Sequence, residues 1–326
     1  MNVFVNIPLD QNQQARLVRK FPEHHFDFSD TSGQSFLAEG PHDPRLMQAD
    51  VAFGQPPVAQ IPQARHLRLV QLSTAGYERY AHPEFLTSLE AKGIALCTAS
   101  AVFDRACAEH ALAMMLAQCR LLPVAISASP SSQPKLAGHW PSGAMRRGSR
   151  LLHSSEVAIV GYGAIGAVLA RLLQPFTSRI TAFRRRPRGD ELVTTLPYGS
   201  LDAELPKFDH VVNILPGGPD TIAFFNAARF AAMKPAASFF NIGRGTTVDQ
   251  TALAAALRLG LIASAWLDVT DPEPLPPEHD LWSTPNCHIT PHTAGGFSEE
   301  REAQVDHFIE QLERFSLGEP LRCRIV

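Results

Sequence analysis

The sequence predicts an α/β fold, with parallel sheets covered by helices on both faces and divided between two domains. Three observations predict it. Short β-rich runs alternate with helical stretches over most of the chain, as parallel strands joined by helical crossovers require. One of those runs leads straight into a glycine-rich loop and then a helix. The 326 residues amount to about two domains at ~150 residues each.

The elements follow in order. The start, Met1-Asn2-Val3-Phe4-Val5-Asn6-Ile7-Pro8, lacks a basic segment and is too short in its apolar run for a signal peptide, so residues 3–7 read as a buried strand. Further strands are expected at 66–72, 94–98, 156–160, 179–183, 210–214, 237–242, 263–268 and 287–290. Residues 103–122 form a long helix rich in Ala, Met and Leu, whose apolar surface exceeds what one neighbour can cover. A Ser/Pro/Gly-rich stretch, 123–150, follows as a linker or a functional arm. Helices are expected at 165–173, 226–233 and 251–259, the last with Thr251 as N-cap and Gly260 just past its end. After the strand at 210–214, Pro216-Gly217-Gly218-Pro219 must leave the sheet.

Composition narrows the function classes. Lys and Arg number 29 against 32 Asp and Glu, for a net charge of −3, which gives no general pull toward nucleic acid or anionic membranes. No apolar run approaches the ~20 residues that span a bilayer. Cys97, Cys107, Cys119, Cys287 and Cys323 are scattered and form no C-x-x-C pair, so neither a disulfide framework nor a metal site is expected. A cytoplasmic location follows as the expectation.

Gly161-Tyr162-Gly163-Ala164-Ile165-Gly166 fits G-x-G-x-x-G in the strand–loop–helix context the motif requires. Gly161 permits the tight turn, Gly163 lets backbone N–H groups approach a pyrophosphate, and Gly166 lets helix and strand pack closely. The next strand should end in an Asp or Glu, about 20 residues on, that bonds an NAD ribose. Here Arg184-Arg185-Arg186-Pro187-Arg188 stands in its place. A carboxylate repels a 2′-phosphate and guanidinium groups pair with it, so the cofactor expected is NADP(H) in preference to NAD(H).

Three residues lie at strand exits downstream, where open parallel sheets bind ligands. Arg244 follows Asn241-Ile242-Gly243, Glu273 sits between Pro272 and Pro274, and His292 lies in Thr290-Pro291-His292-Thr293-Ala294-Gly295-Gly296. With Ala108-Glu109-His110, Met233-Lys234-Pro235, Leu267-Asp268-Val269 and Glu273-Pro274-Leu275-Pro276, this ordered series resembles the D-isomer-specific 2-hydroxyacid dehydrogenases, a family that includes glyoxylate/hydroxypyruvate reductases.

The resemblance implies a role for each matching position. Arg244 grips the carboxylate and carbonyl of a 2-keto acid, His292 is the general acid, and Glu273 holds the other imidazole nitrogen. Asp268 partners the nicotinamide carboxamide. Leu215, Pro216 and Thr221 lie along the cofactor, with Ile242, Gly243 and Gly295 toward its nicotinamide end. Thr74, Ala75 and Gly76 cradle the substrate carboxylate, and Cys107 is a small packing residue beside the nicotinamide rather than a nucleophile. The implied architecture is two Rossmann-like domains, one from residues 1–97 and 297–326 for substrate and one from 98–296 for the dinucleotide, with the active site in the cleft between. A homodimer is implied, made through the long helix and the 123–150 arm, with Trp140 reaching the neighbouring subunit. The implied activity is NADPH-dependent reduction of a small 2-keto acid to the D-2-hydroxy acid. The alternatives are a reductase of longer-chain 2-keto acids and a non-catalytic dinucleotide-sensing scaffold.

Overall fold

The computed structural model describes residues 1–29, 41–127, 142–177 and 179–326. It divides into two compact units, Met1–Phe103 with Gly296–Val326, and Asp104–Gly295.

The first unit is built on five parallel strands, β1 (Asn2–Val5), β2 (His25–Phe28), β3 (Val51–Gly54), β4 (Leu69–Leu72) and β5 (Ala95–Cys97), in the order β2-β1-β3-β4-β5. β3, β4 and β5 are buried along their whole length, which explains why they are apolar except at Gln71, whose side-chain Oε1 accepts from Gln311 Nε2 at 2.9 Å. The helix Gln11–Lys20 starts at a reciprocal cap, in which the Asp10 carboxylate accepts from Gln13 N and the Gln13 side chain accepts from Asp10 N. The helix Glu300–Leu317 buries Val305, Phe308 and Leu312 on one stripe, with the Phe308 ring stacked on Phe53 at 4.2 Å.

The second unit carries seven parallel strands: β6 (Val157–Val160), β7 (Ile180–Arg184), β8 (Thr194–Pro197), β9 (His210–Asn213), β10 (Ser238–Asn241), β11 (Ser264–Leu267) and β12 (Cys287–Ile289). Their order is β12-β11-β10-β9-β6-β7-β8. The chain runs outward from β6 to β8 and then returns to β9 on the other side. The loops after β6 and β9 therefore diverge at a topological switch point, where this kind of sheet forms a ligand crevice. Phe183, Phe208, Phe225, Phe230 and Phe239 fill the core on one face, and Phe230 meets Phe239 edge-on at 5.3 Å.

Several expectations need correction. Strands β2, β3 and β8 were not foreseen: each has only four residues, and β8 is a partly exposed edge ending in Pro197. The strand expected at 66–72 is confined to Leu69–Leu72. The long helix runs Ser100–Cys119 and stops before Leu121, whose φ of +52° breaks it from a separate short helix, Leu122–Ser127. Asp249, not Thr251, caps the helix Gln250–Arg258, its carboxylate accepting from Ala252 N at 2.9 Å. Gly260 does stand past that helix end, at φ +67°. Trp140 and the middle of the 123–150 stretch lie outside the described residues. Among the described residues no helix is long and apolar enough to cross a membrane.

Candidate active site

β6 ends at Val160, and the backbone turns at Gly161 with φ +106°. A Cβ on Gly161 would lie 2.7 Å from the Ile214 carbonyl oxygen after β9, so only glycine lets the two loops meet at the switch point. A Cβ on Gly166 would lie 2.7 Å from Gly161 O, which is why the helix Ala164–Leu173 can sit on the end of the strand. At Gly163 there is nothing within 4 Å of the same position. That open face leads onto the first turn of the helix, where no side chain caps the N-terminus and the N–H groups of Ala164, Ile165 and Gly166 have no partner earlier in the helix. Such a cradle fits the pyrophosphate of a dinucleotide.

The arginines after β7 are not equivalent. Arg184 pairs through Nη1 with Glu191 at 3.1 Å, and the Glu191 carboxylate also accepts from Arg188 N and Gly189 N, each at 2.8 Å. Arg185 reaches across to Asp220, after β9, at 3.0 Å. Arg186 is exposed. The two acids were not singled out from the sequence; they hold the basic turn in shape and face the guanidinium groups in the position an anion would take.

The loops after β9 and β10 are fixed from below by a buried polar trio. Asn213 Nδ2 donates to Asn241 Oδ1 at 3.0 Å and to Thr247 Oγ1 at 2.7 Å. Asn241 Nδ2 and Thr247 Oγ1 both donate to the Arg244 carbonyl, at 3.1 and 2.6 Å. Asn241 Oδ1 accepts from Gly243 N, and Asn213 Oδ1 accepts from Leu215 N. Every buried amide thus finds partners, and the backbone of Arg244 is locked while its side chain emerges half-buried. Ile242 and Leu215 are buried beside it, and Thr221 Oγ1 donates to Pro216 O at 2.7 Å, closing the β9 loop on itself.

His292 sits on the turn after β12. Its Nδ1 is 2.7 Å from Glu273 Oε2, while Glu273 Oε1 accepts from Thr270 N at 2.9 Å. The hydrogen bond to Glu273 holds the His292 imidazole above its ordinary range, outweighing the burial that pushes the other way. For Glu273, burial pushes the carboxyl up, but the bonds from His292 and Thr270 and the nearby Arg244 charge together bring it below its ordinary value. His292 adopts φ +52°, an uncommon conformation for a side-chain-bearing residue, costing about 1–3 kcal/mol. Asp268 holds the turn in that state: its carbonyl accepts from His292 N, and its carboxylate accepts from Thr293 N and Ala294 N, each at 2.9 Å. The Asp268 side chain is buried, and Gly295 follows the residues it binds.

Arg244 lies within electrostatic reach of the Glu273–His292 pair, the three residues coming from three strand exits. Cys107 lies within electrostatic reach of Asp268 and Arg244, and burial pushes its thiol up to about 12, so it stays protonated. Thr74, Ala75 and Gly76 belong to the first unit. There Thr74 Oγ1 donates to Gly76 O at 2.7 Å and accepts from Gln55 Nε2 at 3.1 Å, which fixes the loop after β4.

A family model described as "D-isomer specific 2-hydroxyacid dehydrogenase, NAD binding domain" matches residues 112–294. The chain is 36% identical over 233 residues to a glyoxylate reductase/hydroxypyruvate reductase of Mus musculus, covering 70% of this chain and 67% of that protein. It is 32% identical over 262 residues to a glyoxylate reductase of Pyrococcus furiosus, covering 78% and 75% of the two. Among solved structures, it is similar to an NADPH-dependent glyoxylate/hydroxypyruvate reductase of Sinorhizobium meliloti in complex with NADP and malonate. That similarity has a TM-score of 0.72 and 26% identity, over 100% of this chain and 96% of the other.

Proposed function

The chain belongs to the D-isomer-specific 2-hydroxyacid dehydrogenases, and on that premise we propose that it reduces a small 2-keto acid, of the glyoxylate or hydroxypyruvate kind, to the D-2-hydroxy acid with NADPH. The single observation that carries the reading is the Glu273–His292 pair beside Arg244, which combines a held proton donor with a two-pronged cation.

A bound nicotinamide dinucleotide supplies the hydride that reaches the carbonyl carbon. The residues do the rest. Arg244 pairs with the carboxylate of the keto acid through its planar fork and so orients the carbonyl. His292 donates the proton on Nε2 to the carbonyl oxygen as negative charge develops there. Glu273 accepts from Nδ1–H throughout, so the ring keeps its orientation and its charged form is favoured. The cradle at Gly161, Gly163 and Gly166, with Ala164 and Ile165, holds the pyrophosphate. Leu215, Pro216, Thr221, Ile242, Gly243, Asp268 and Gly295 line the path of the nicotinamide half.

Preference for NADPH is supported by the arginines after β7. A 2′-phosphate offers Arg185 a stronger, doubly charged partner than the exposed Asp220, and Arg184 and Arg186 add to the same field. The relatives named for glyoxylate and hydroxypyruvate support the substrate class. Rates on a panel of 2-keto acids with each cofactor test the whole reading. Glyoxylate and hydroxypyruvate should exceed longer-chain acids in kcat/KM, and NADPH should exceed NADH. An Arg184→Asp, Arg185→Ser double variant should lose roughly 10-fold or more of its preference, as expected for a lost guanidinium–phosphate contact at 185 and a reversed charge at 184. A preference for longer side chains, or a cofactor ratio that the double variant leaves alone, overturns the corresponding part.

A further inference from the structure

Behind the turn that presents His292 runs a polar chain that ends on Asp268, and the mechanism above gives its other two members, His110 and Thr290, no work. His110, on the helix Ser100–Cys119, places Nε2 3.3 Å from Thr290 Oγ1 and 3.7 Å from Asp268 Oδ1. Thr290 Oγ1 stands only 2.6 Å from Asp268 Oδ1 and donates to it. A hydroxyl has one hydrogen. With that hydrogen committed to the carboxylate, the threonine oxygen can meet His110 only as an acceptor, so Nε2 of His110 must carry hydrogen. The opposite arrangement would set a nitrogen lone pair against both the hydroxyl oxygen and the nearby carboxylate, two acceptors with a single hydrogen to share. The neutral imidazole is thereby fixed as its Nε2–H form.

We propose that His110 is a positioning residue for proton transfer: its Nε2–H closes a relay through Thr290 to Asp268, and this relay fixes the turn that carries His292. The Asp268 carboxylate accepts from Thr293 N and Ala294 N, and its carbonyl accepts from His292 N, so the three consecutive residues of the left-handed turn all hang on one side chain and its own backbone. That carboxylate is buried, and a rotation about its side-chain bonds would release the Thr293 and Ala294 N–H groups and loosen the turn that holds the imidazole against Glu273. Thr290 adds a third donor against that rotation, and His110 holds its hydroxyl from the other side. Small displacements matter here, because a misplacement of ~1 Å at a reacting centre can cost ~100-fold.

The inference rests on the reductase reading for its kinetic arm, and its spectroscopic arm stands apart from it. In the full chain with ¹⁵N-labelled histidine and no cofactor, His110 should show the Nε2–H tautomer at neutral pH. Thr290→Val should abolish that preference, and Thr290→Ser should keep it. In turnover, His110→Ala and Thr290→Val should each lower kcat roughly 10-fold, about the effect of one lost hydrogen bond in the transition state, with KM for the keto acid little changed. His110→Gln and Thr290→Ser, which restore a donor and a hydroxyl, should recover most of the rate. The double variant His110→Ala, Thr290→Val should be no slower than the slower single one, since both break the same relay. An Nδ1–H tautomer for His110, multiplied losses in the double variant, or an unchanged kcat in Thr290→Val overturns the proposal. If the wild-type protein reduces no keto acid, the functional reading falls and the tautomer of His110 in the three proteins alone decides for or against the relay.

Discussion

His292→Ala is expected to lower kcat for keto-acid reduction by roughly 10²- to 10⁴-fold, the usual contribution of a positioned general acid, while the dinucleotide still binds. The expectation follows from placement. The glycine cradle lies after β6 and the imidazole after β12, at opposite ends of the order β12-β11-β10-β9-β6, so truncating one leaves the backbone of the other intact. The side chain is 35% exposed and its loss opens no core cavity, so stability should change little. Relief of the φ +52° backbone by alanine is small, because the strain belongs to any residue with a Cβ. Titration of NADPH into the variant, followed by its fluorescence, separates the two functions. A variant that loses binding and turnover together would show His292 to be a structural element of the cofactor site.

The second large effect belongs to Arg244. Arg244→Ala should cut kcat/KM for the keto acid by roughly 10²- to 10³-fold, the scale of a charge-assisted pair removed from a half-buried site, chiefly through KM. Arg244→Lys should recover only part of this, because an ammonium keeps the charge and loses the planar fork. The backbone of the loop should hold in both variants, since Asn241 and Thr247 grip the carbonyl of residue 244 rather than its side chain. Steady-state kinetics with glyoxylate checks the split. A fall in kcat with KM unchanged would place Arg244 in proton transfer and not in substrate binding.

What the sequence made legible is local chemistry repeated in a fixed order. The run from Val157 through Gly166 carries its strand, turn and helix within ten residues, and Gly161 and Gly166 each have a steric reason within that span or one loop away. The strand exits at Arg244, Glu273 and His292 could be read because apolar runs ended just before them. What stayed hidden depends on where the chain returns. Asn213 and Asn241 are opposite one another only because β9 and β10 pair in that register, and no periodicity announces it. The Arg185–Asp220 pair and the His110–Thr290 contact join residues 35 and 180 positions apart. The sequence points to Thr251 as N-cap, but Asp249, also a good capping residue, takes that place. Asp249 wins because its N–H is tied to Phe225 O, which sets the start of the helix. The edge strand at Thr194–Pro197 is half-exposed and short, so its pattern carries little more than a loop would.

A Glu273-held imidazolium at His292 that protonates a 2-keto acid should reveal itself in the pH dependence of kcat/KM for reduction. The acid form is the active one, and Glu273 raises the pH at which it is lost, so the rate should persist beyond the ordinary imidazole range of about 6.5 before it falls. In Glu273→Gln the carboxylate charge is gone, and the alkaline fall should move to lower pH, with the largest loss of rate on that side. With the wild type, consumption of NADPH should match formation of the D-2-hydroxy acid. A protein that turns over no 2-keto acid, or an alkaline fall that stays in place when Glu273 is changed, would rule out His292 as the Glu273-held proton donor.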